Sequence, residues 1–123
     1  MKKKAILVDA APAAVGPYSH ANVIGDLVFV SGQLPLKNGE LLEDIQEGTK
    51  ACLTNLKTIL EGVGSNLDQV VKVNIFLRDM GDFAAMNEVY ATFFTQDEPA
   101  RSCVAVKTLP KDARVEIEAI AHL

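Results

Sequence analysis

The sequence predicts an α+β fold, a mixed sheet of about six strands with two helices packed on one of its faces. Three observations carry this expectation. From Asp44 onward apolar residues recur at spacings of three and four, the signature of a one-faced helix. From Val70 to Arg78 they alternate strictly, as on a half-buried strand. Only two segments carry the helical period while five or six read as strands, so the helices can cover one sheet face and no more. The 123 residues contain no linker, repeat or low-complexity stretch and are read as a single domain spanning 1–123.

In chain order, Ile6 to Val8 is a short apolar run that reads as an edge strand. Asn22–Ile24 and Leu27–Ser31 are two β-rich runs around the turn signal Gly25-Asp26, and Asn38-Gly39 is a tight hairpin turn. The first helix opens at Glu43 or Asp44 and buries Ile45, Thr49, Cys52, Leu53, Leu56, Ile59, Leu60 and Val63, with Gly62-Val63-Gly64 as its stop. Ser65-Asn66-Leu67-Asp68 has the spacing of a capping box. In the alternating strand, Val71, Val73, Ile75 and Leu77 face one way and Lys72, Asn74, Phe76 and Arg78 the other. A second helix, capped by Asp82, presents Phe83, Met86, Val89, Tyr90 and Phe93. Ser102–Thr108 and Arg114–Ala121 read as two strands joined by Leu109–Ala113 in an antiparallel hairpin. The bare sheet face must meet water or another subunit, and its mixture of Glu116, Glu118 and Ile120 with Lys72, Asn74 and Phe76 favours a subunit.

Composition excludes several function classes. Two cysteines are too few for a Cys₄ zinc site or a disulfide framework, and Cys52, Cys103, His20 and His122 lie far from the paired spacing of a Cys₂His₂ site. A net charge of -4 disfavours binding to nucleic acid or anionic membranes. Lys2-Lys3-Lys4 followed by Ala5–Val8 falls short of a secretory signal, whose apolar region runs about 7–15 residues, because Asp9 and Pro12 interrupt it. No stretch approaches the ~20 apolar residues of a membrane span, so a cytoplasmic protein with reduced Cys52 and Cys103 is expected. Nucleophile elbow, P-loop, dinucleotide fingerprint and H-E-x-x-H are all absent.

The polar residues that strand patterning does not require are the place to look for chemistry. Glu116 and Glu118 lie on one strand face beside Ile120. Such a pair is ordinarily a solvated face; in apolar surroundings a carboxylate instead pairs with a cation or accepts from water or substrate. Arg101, before a strand in Pro99-Ala100-Arg101-Ser102-Cys103, is either a surface ion-pair partner or a planar two-donor clamp for a carboxylate. Cys103 shares its face and reads as a small hydrophobe, not a nucleophile. If the final hairpin pairs residues whose numbers sum to about 221, Ala105 faces Glu116 and the Cα of Arg101 lies ~13 Å from that of Glu116, room for a small molecule between their tips. Gly16-Pro17-Tyr18 forms a turn with an aromatic wall, and Ser31-Gly32 ends a strand where glycine permits close approach to a ligand. His20 and His122 read as core or surface residues.

Five segments in order resemble the RidA/YjgF family of reactive intermediate (imine) deaminases. They are Ala11–Ser19, Val30-Ser31-Gly32-Gln33, Val70–Leu77, Pro99–Val104, and Leu109–Asp112 through Val115–Ala121. The resemblance implies a chorismate-mutase-like α+β fold, a homotrimer with pockets between subunits, and a cofactor-free, metal-free enzyme. That enzyme hydrolyses small 2-imino acids, 2-iminobutanoate and 2-iminopropanoate, to 2-oxo acids and ammonia. It implies that Arg101 holds the substrate carboxylate, that Glu116 positions the attacking water, and that Tyr18, Ser31, Gly32, Cys103 and Asn87 line the pocket. The chain departs from some members at Gln96-Asp97-Glu98, which is short and polar where they carry a longer insert ending in an aromatic; this bears on the pocket rim. A protonated imine is already a strong electrophile, so positioning plus acid–base work suffices. The competing readings are a non-enzymatic trimer that binds small carboxylates and a ribonuclease, the latter opposed by the acidic charge balance.

Overall fold

The computed structural model describes residues 1–123. The first helix, α1 (Ile45–Gly62), has both ends fixed locally. Asp44 is extended and its carboxylate accepts from the Glu47 N–H at 2.9 Å, which satisfies one free donor of the first turn. At the other end Gly64 sits at φ +89°, Ser65 N–H donates to Leu60 O and Gly64 N–H to Glu61 O, the double bond pattern of a left-handed glycine stop. Leu53, Leu56, Ile59 and Leu60 are fully buried, each worth about 1.5–3 kcal/mol relative to exposure. Beyond α1 the short turn Leu67–Gln69 is capped by Asn66, whose side chain accepts from Asp68 N–H; Ser65 instead donates its hydroxyl to His122 O at 2.7 Å, so the expected capping box does not form.

The strands are β1 (Lys4–Ile6), β2 (Ala21–Ile24), β3 (Leu27–Gln33), β4 (Leu36–Lys37), β5 (Glu40–Leu41), β6 (Val70–Leu77), β7 (Ala100–Ala105) and β8 (Val115–His122). Six of them form one sheet in the order β1-β2-β3-β8-β6-β7; β4 and β5 form a separate hairpin. Asn38 and Gly39 at its tip both have positive φ, 52° and 80°, as a tight hairpin turn requires. The first strand is an edge strand as expected but ends at Ile6; the Val8 N–H donates to His20 Nδ1 instead of to a strand partner.

The second helix, α2 (Phe83–Phe93), lies between β6 and β7 in sequence, and this crossover corrects the expected terminal hairpin. With a helix between them, β6 and β7 run parallel, with Val73 opposite Arg101 and Leu77 opposite Ala105. The far edge of β6 then takes β8, antiparallel, with Phe76 opposite Glu116. Ala105 therefore never faces Glu116, because β6 separates β7 from β8. Asp82 stands at the start of α2 but makes no capping bond. Its carboxylate grips Arg114, at 2.6 Å from Nη2 and 3.2 Å from Nε.

Both helices pack on the same sheet face, against Val28, Val30, Val73, Ile75, Leu77, Val115, Ile117, Ala119 and Ala121. Val71 does not join them: a bulge between Val70 and Lys72 turns Val70 inward and leaves Val71 exposed. A second bulge, between Val30 and Gln33 of β3, sets Ser31 and Gly32 outside the regular ladder beside β8. The opposite face carries no helix. On it lie Phe29, Ser31, Lys72, Asn74, Phe76, Val104, Glu116, Glu118 and Ile120, exposed or half-buried.

Candidate functional site

Arg101 is set by the parallel pairing of β7 with β6. Its register partner Val73 points into the core, so Arg101 points to the helix side, where α2 receives it. The guanidinium Nη1 donates to Asn87 Oδ1 at 2.7 Å, and Cζ lies 4.8 Å from the Tyr90 ring centroid and 5.6 Å from that of Phe83. Unlike Arg78 and Arg114, Arg101 has no carboxylate partner in the chain. Cys103, two residues on, shares the Arg101 face. Burial raises its thiol above the usual range and the Arg101 charge only partly reverses this, so it stays a thiol and not a nucleophilic thiolate.

Glu116 is on the other face. Its partners across the sheet are Phe76 and then Val104, and its carboxylate lies over Gly32 so closely that a Cβ there would stand 2.7 Å from Oε2. A side chain at 32 would have to push the Glu116 carboxylate aside, while the Gly32 backbone angle is open to any residue. Burial raises the Glu116 carboxyl above its usual range, and the negative charge of Glu118 adds to the effect. Glu118 itself accepts from Asn74 Nδ2 at 3.0 Å.

Ser31 and Tyr18 belong with Glu116. The Ser31 hydroxyl donates to Ser19 O at 2.6 Å and its N–H to His20 O, which ties the Gly16–His20 turn to the strand that carries Gly32. His20 anchors the same segment from within: Nδ1 accepts from Val8 N–H and Nε2 donates to Pro12 O, both at 2.8 Å. Tyr18 is 48% exposed, and its hydroxyl accepts from Val15 N–H at 3.3 Å.

The expected residues therefore fall into two groups. Arg101, Asn87 and Cys103 stand on the helix side near the β7 edge; Glu116, Gly32 and Ser31, with Tyr18 attached through Ser19, stand toward the open face. Arg101 and Glu116 are two strands and three residues apart, about 14 Å between Cα atoms, and their side chains leave opposite faces of the sheet. The ~13 Å gap on one face expected from a hairpin is thus replaced by a larger one through the sheet. The chain's large cavity, about 670 Å³, lies elsewhere, between the Ala10–Val15 loop, the β4–β5 hairpin and α1, and touches none of these residues. No three His, Cys, Asp or Glu side chains converge as metal ligands would.

Residues 8–123 match the family model described as Endoribonuclease L-PSP. The chain is 47% identical to a RutC family protein of Pyrococcus abyssi over 99% of its own length and 98% of the relative's. It is 44% identical to the 2-iminobutanoate/2-iminopropanoate deaminase of Salmonella typhimurium, covering 96% of each. The crystal structure of Escherichia coli TdcF with bound serine superposes with a TM-score of 0.92 at 42% identity, over 98% of both chains. The chain belongs to the Endoribonuclease L-PSP (RidA/YjgF) family.

The short polar segment Thr95–Glu98 is an exposed bend, with Asp97 at φ 49°. Burial raises the Tyr90 phenol above its usual value; the Arg101 charge beside it lowers it and the Glu98 charge raises it. Sequence reading places Phe83 and Tyr90 on the apolar stripe of the second helix but misses that they face a cation. Their positions with Asn87, at 83, 87 and 90, form one helical face, the one signal available beforehand. The sequence places Asn74 and Glu118 on the open face, but only the β6–β8 register makes them neighbours.

Proposed function

We propose that this RidA/YjgF protein hydrolyses small reactive 2-imino acids, 2-iminobutanoate and 2-iminopropanoate, to 2-oxo acids and ammonia without a cofactor. The observation that carries the reading is a half-buried arginine with no anionic partner in its own chain, together with a half-buried, unpaired carboxylate on the face that no helix covers. A substrate carboxylate supplies the missing anion for Arg101. A cationic iminium beside Glu116 favours the charged form of that carboxyl, in which it orients a water for attack on the C=N carbon. The water's proton passes to Glu116, and the tetrahedral amino alcohol then releases ammonia as the 2-oxo acid forms. The matched deaminase of Salmonella typhimurium supports the substrate class.

Because Arg101 and Glu116 leave opposite faces of one sheet, a complete site takes Arg101, Asn87 and Cys103 from one copy. Glu116, Gly32, Ser31 and Tyr18 come from another, in the homotrimer expected from the sequence. The uncovered face, with Phe29 41% and Val104 49% exposed, supports burial against a second copy. Free Cys52 and Cys103 fit a reducing cytoplasmic setting. Of the competing readings, the carboxylate-binding trimer accounts for Arg101 but gives Glu116 no task. A ribonuclease, as in the family's description, would have to bring polyanionic RNA against Glu116 and Glu118.

The test is ammonia release from 2-iminobutanoate and 2-iminopropanoate generated in situ by an amino-acid oxidase, with bulkier imines and an RNA substrate alongside. Acceleration of the two small imines, abolished by Arg101→Ala in an intact oligomer, is the expected result. Full activity of that variant, or RNA cleavage dependent on Arg101 and Glu116 without imine hydrolysis, overturns the proposal.

A further inference from the structure

The manner in which Arg101 is held is unusual for a guanidinium brought inside a protein. Arg114 shows the ordinary arrangement: Asp82 takes it with both carboxylate oxygens and cancels its charge. Arg101 is held wholly by uncharged groups, one amide oxygen and two aromatic rings. All three come from one face of α2, at positions 83, 87 and 90. The single carboxylate within α2, Glu88, is turned the other way, accepting from Gln46 Nε2 of α1 at 2.9 Å. Arg101 Nη1 is the nitrogen that Asn87 uses; Nε and Nη2 make no hydrogen bond in the chain. Those two form one edge of the planar fork, with parallel N–H groups spaced to meet both oxygens of a carboxylate.

Tyr90 adds an independent sign. Its hydroxyl is buried with no hydrogen-bond partner, so that group gains nothing where it stands. What its burial places is the ring, under the guanidinium and 4.8 Å from Phe94 behind it.

We propose that Phe83, Asn87 and Tyr90 form an uncharged positioning cradle that orients the Arg101 guanidinium and leaves its charge whole for a carboxylate arriving from outside the chain. Asn87 then acts through Arg101 as a positioning residue. The amide is the essential choice: an aspartate of the same shape would keep the hydrogen bond and neutralise the clamp. The ligand chemistry that follows is a carboxylate able to meet the free Nε and Nη2 edge of Arg101. This inference rests on the imine deaminase reading only for its kinetic arm.

The test uses the intact oligomer and 2-oxobutanoate, the product of 2-iminobutanoate hydrolysis, as a stable probe for calorimetric binding. Asn87→Asp is expected to weaken 2-oxobutanoate binding by about tenfold or more and to raise KM for 2-iminobutanoate with little change in kcat, the pattern of lost carboxylate binding. Asn87→Ala weakens it less, because the charge survives. On the other side of the guanidinium, Tyr90→Phe binds like the parent, whereas Tyr90→Leu binds several-fold more weakly as the cation–π contact goes. An Asn87→Asp protein that assembles and binds as tightly as the parent overturns the cradle, as does a Tyr90→Leu protein indistinguishable from Tyr90→Phe. A parent that binds 2-oxobutanoate with this variant ranking but releases no ammonia overturns the deaminase reading and sustains the cradle. A parent that binds no carboxylate at all overturns both.

Discussion

The two faces of β8 differ more than any other pair of surfaces in the molecule. Val115, Ile117 and Ala121 are fully buried under α1, while Glu116, Glu118 and Ile120 alternate with them on a face that nothing in the chain covers. The first face is finished: its residues touch other apolar residues and contribute stability. The second is unfinished, and it holds a carboxyl whose pKa burial raises, a glycine against which that carboxyl lies, and exposed aromatic and aliphatic side chains. The difference teaches that one face is given to stability, and that the two residues of the proposed site stand on different faces. Arg101, the proposed clamp, lies on the covered side at the β7 edge, and Glu116, proposed to position the water, lies on the uncovered one.

Substitutions that act on one face only should break or sharpen this division. The largest effect belongs to the closed face. Leu56→Ala should cost about 2–5 kcal/mol in denaturant unfolding, whereas Ile120→Ala on the open face should leave chain stability nearly unchanged and loosen self-association, read by analytical ultracentrifugation. Arg101→Met follows, lowering kcat/KM for 2-iminobutanoate by about a hundredfold or more with little shift in the unfolding midpoint, since no ion pair is lost.

Glu116→Gln should cost a comparable factor, about a hundredfold, and its pH behaviour separates it from Arg101→Met. The parent's kcat/KM should fall on the acid side with a midpoint above the usual carboxylate range, and Glu116→Gln should lose that limb. The stability sign is the reverse of an ordinary paired carboxylate. A raised folded-state value means that stability is fully present below the unfolded value and is lost as pH rises through the folded one. Glu116→Gln should therefore melt slightly higher than the parent at neutral pH, an advantage that disappears once pH drops below the usual glutamate range. The smallest effect is Gly32→Ala, where the new Cβ pushes the Glu116 carboxylate aside: about tenfold in kcat, with Arg101-dependent carboxylate binding retained.

How much of this was legible in the sequence depends on whether the determining contacts are local. The first helix was, because Asp44, the apolar period and Gly64 act within one or two turns of each other. So was the turn at Asn38-Gly39, where two consecutive positive φ angles demand those residues. The terminal hairpin was misread because adjacency in sequence does not reveal which sheet edge a strand takes; the packing of α2 fixes that, by placing β7 beside β6. Strict alternation points Val71 inward and conceals the one-residue bulge that turns it out. Asp82 looked like a cap and became the partner of Arg114, which lies 32 residues away. At the candidate site, Arg101 and Glu116 stood out as residues that strand patterning does not need. Their opposite facing did not, since it depends on the parity of pairing through β6.

The claim that these two residues meet only between copies of the chain is most directly tested by mixing two inactive proteins. Arg101→Ala and Glu116→Ala are unfolded together in equal amounts, refolded, and assayed for 2-iminobutanoate hydrolysis. If each site takes its arginine from one subunit and its glutamate from a neighbour, random assembly leaves about one site in four with both intact, and about a quarter of the parent activity returns. If both residues serve the same site from a single chain, no site regains both, and a mixture as inactive as its components would contradict the account.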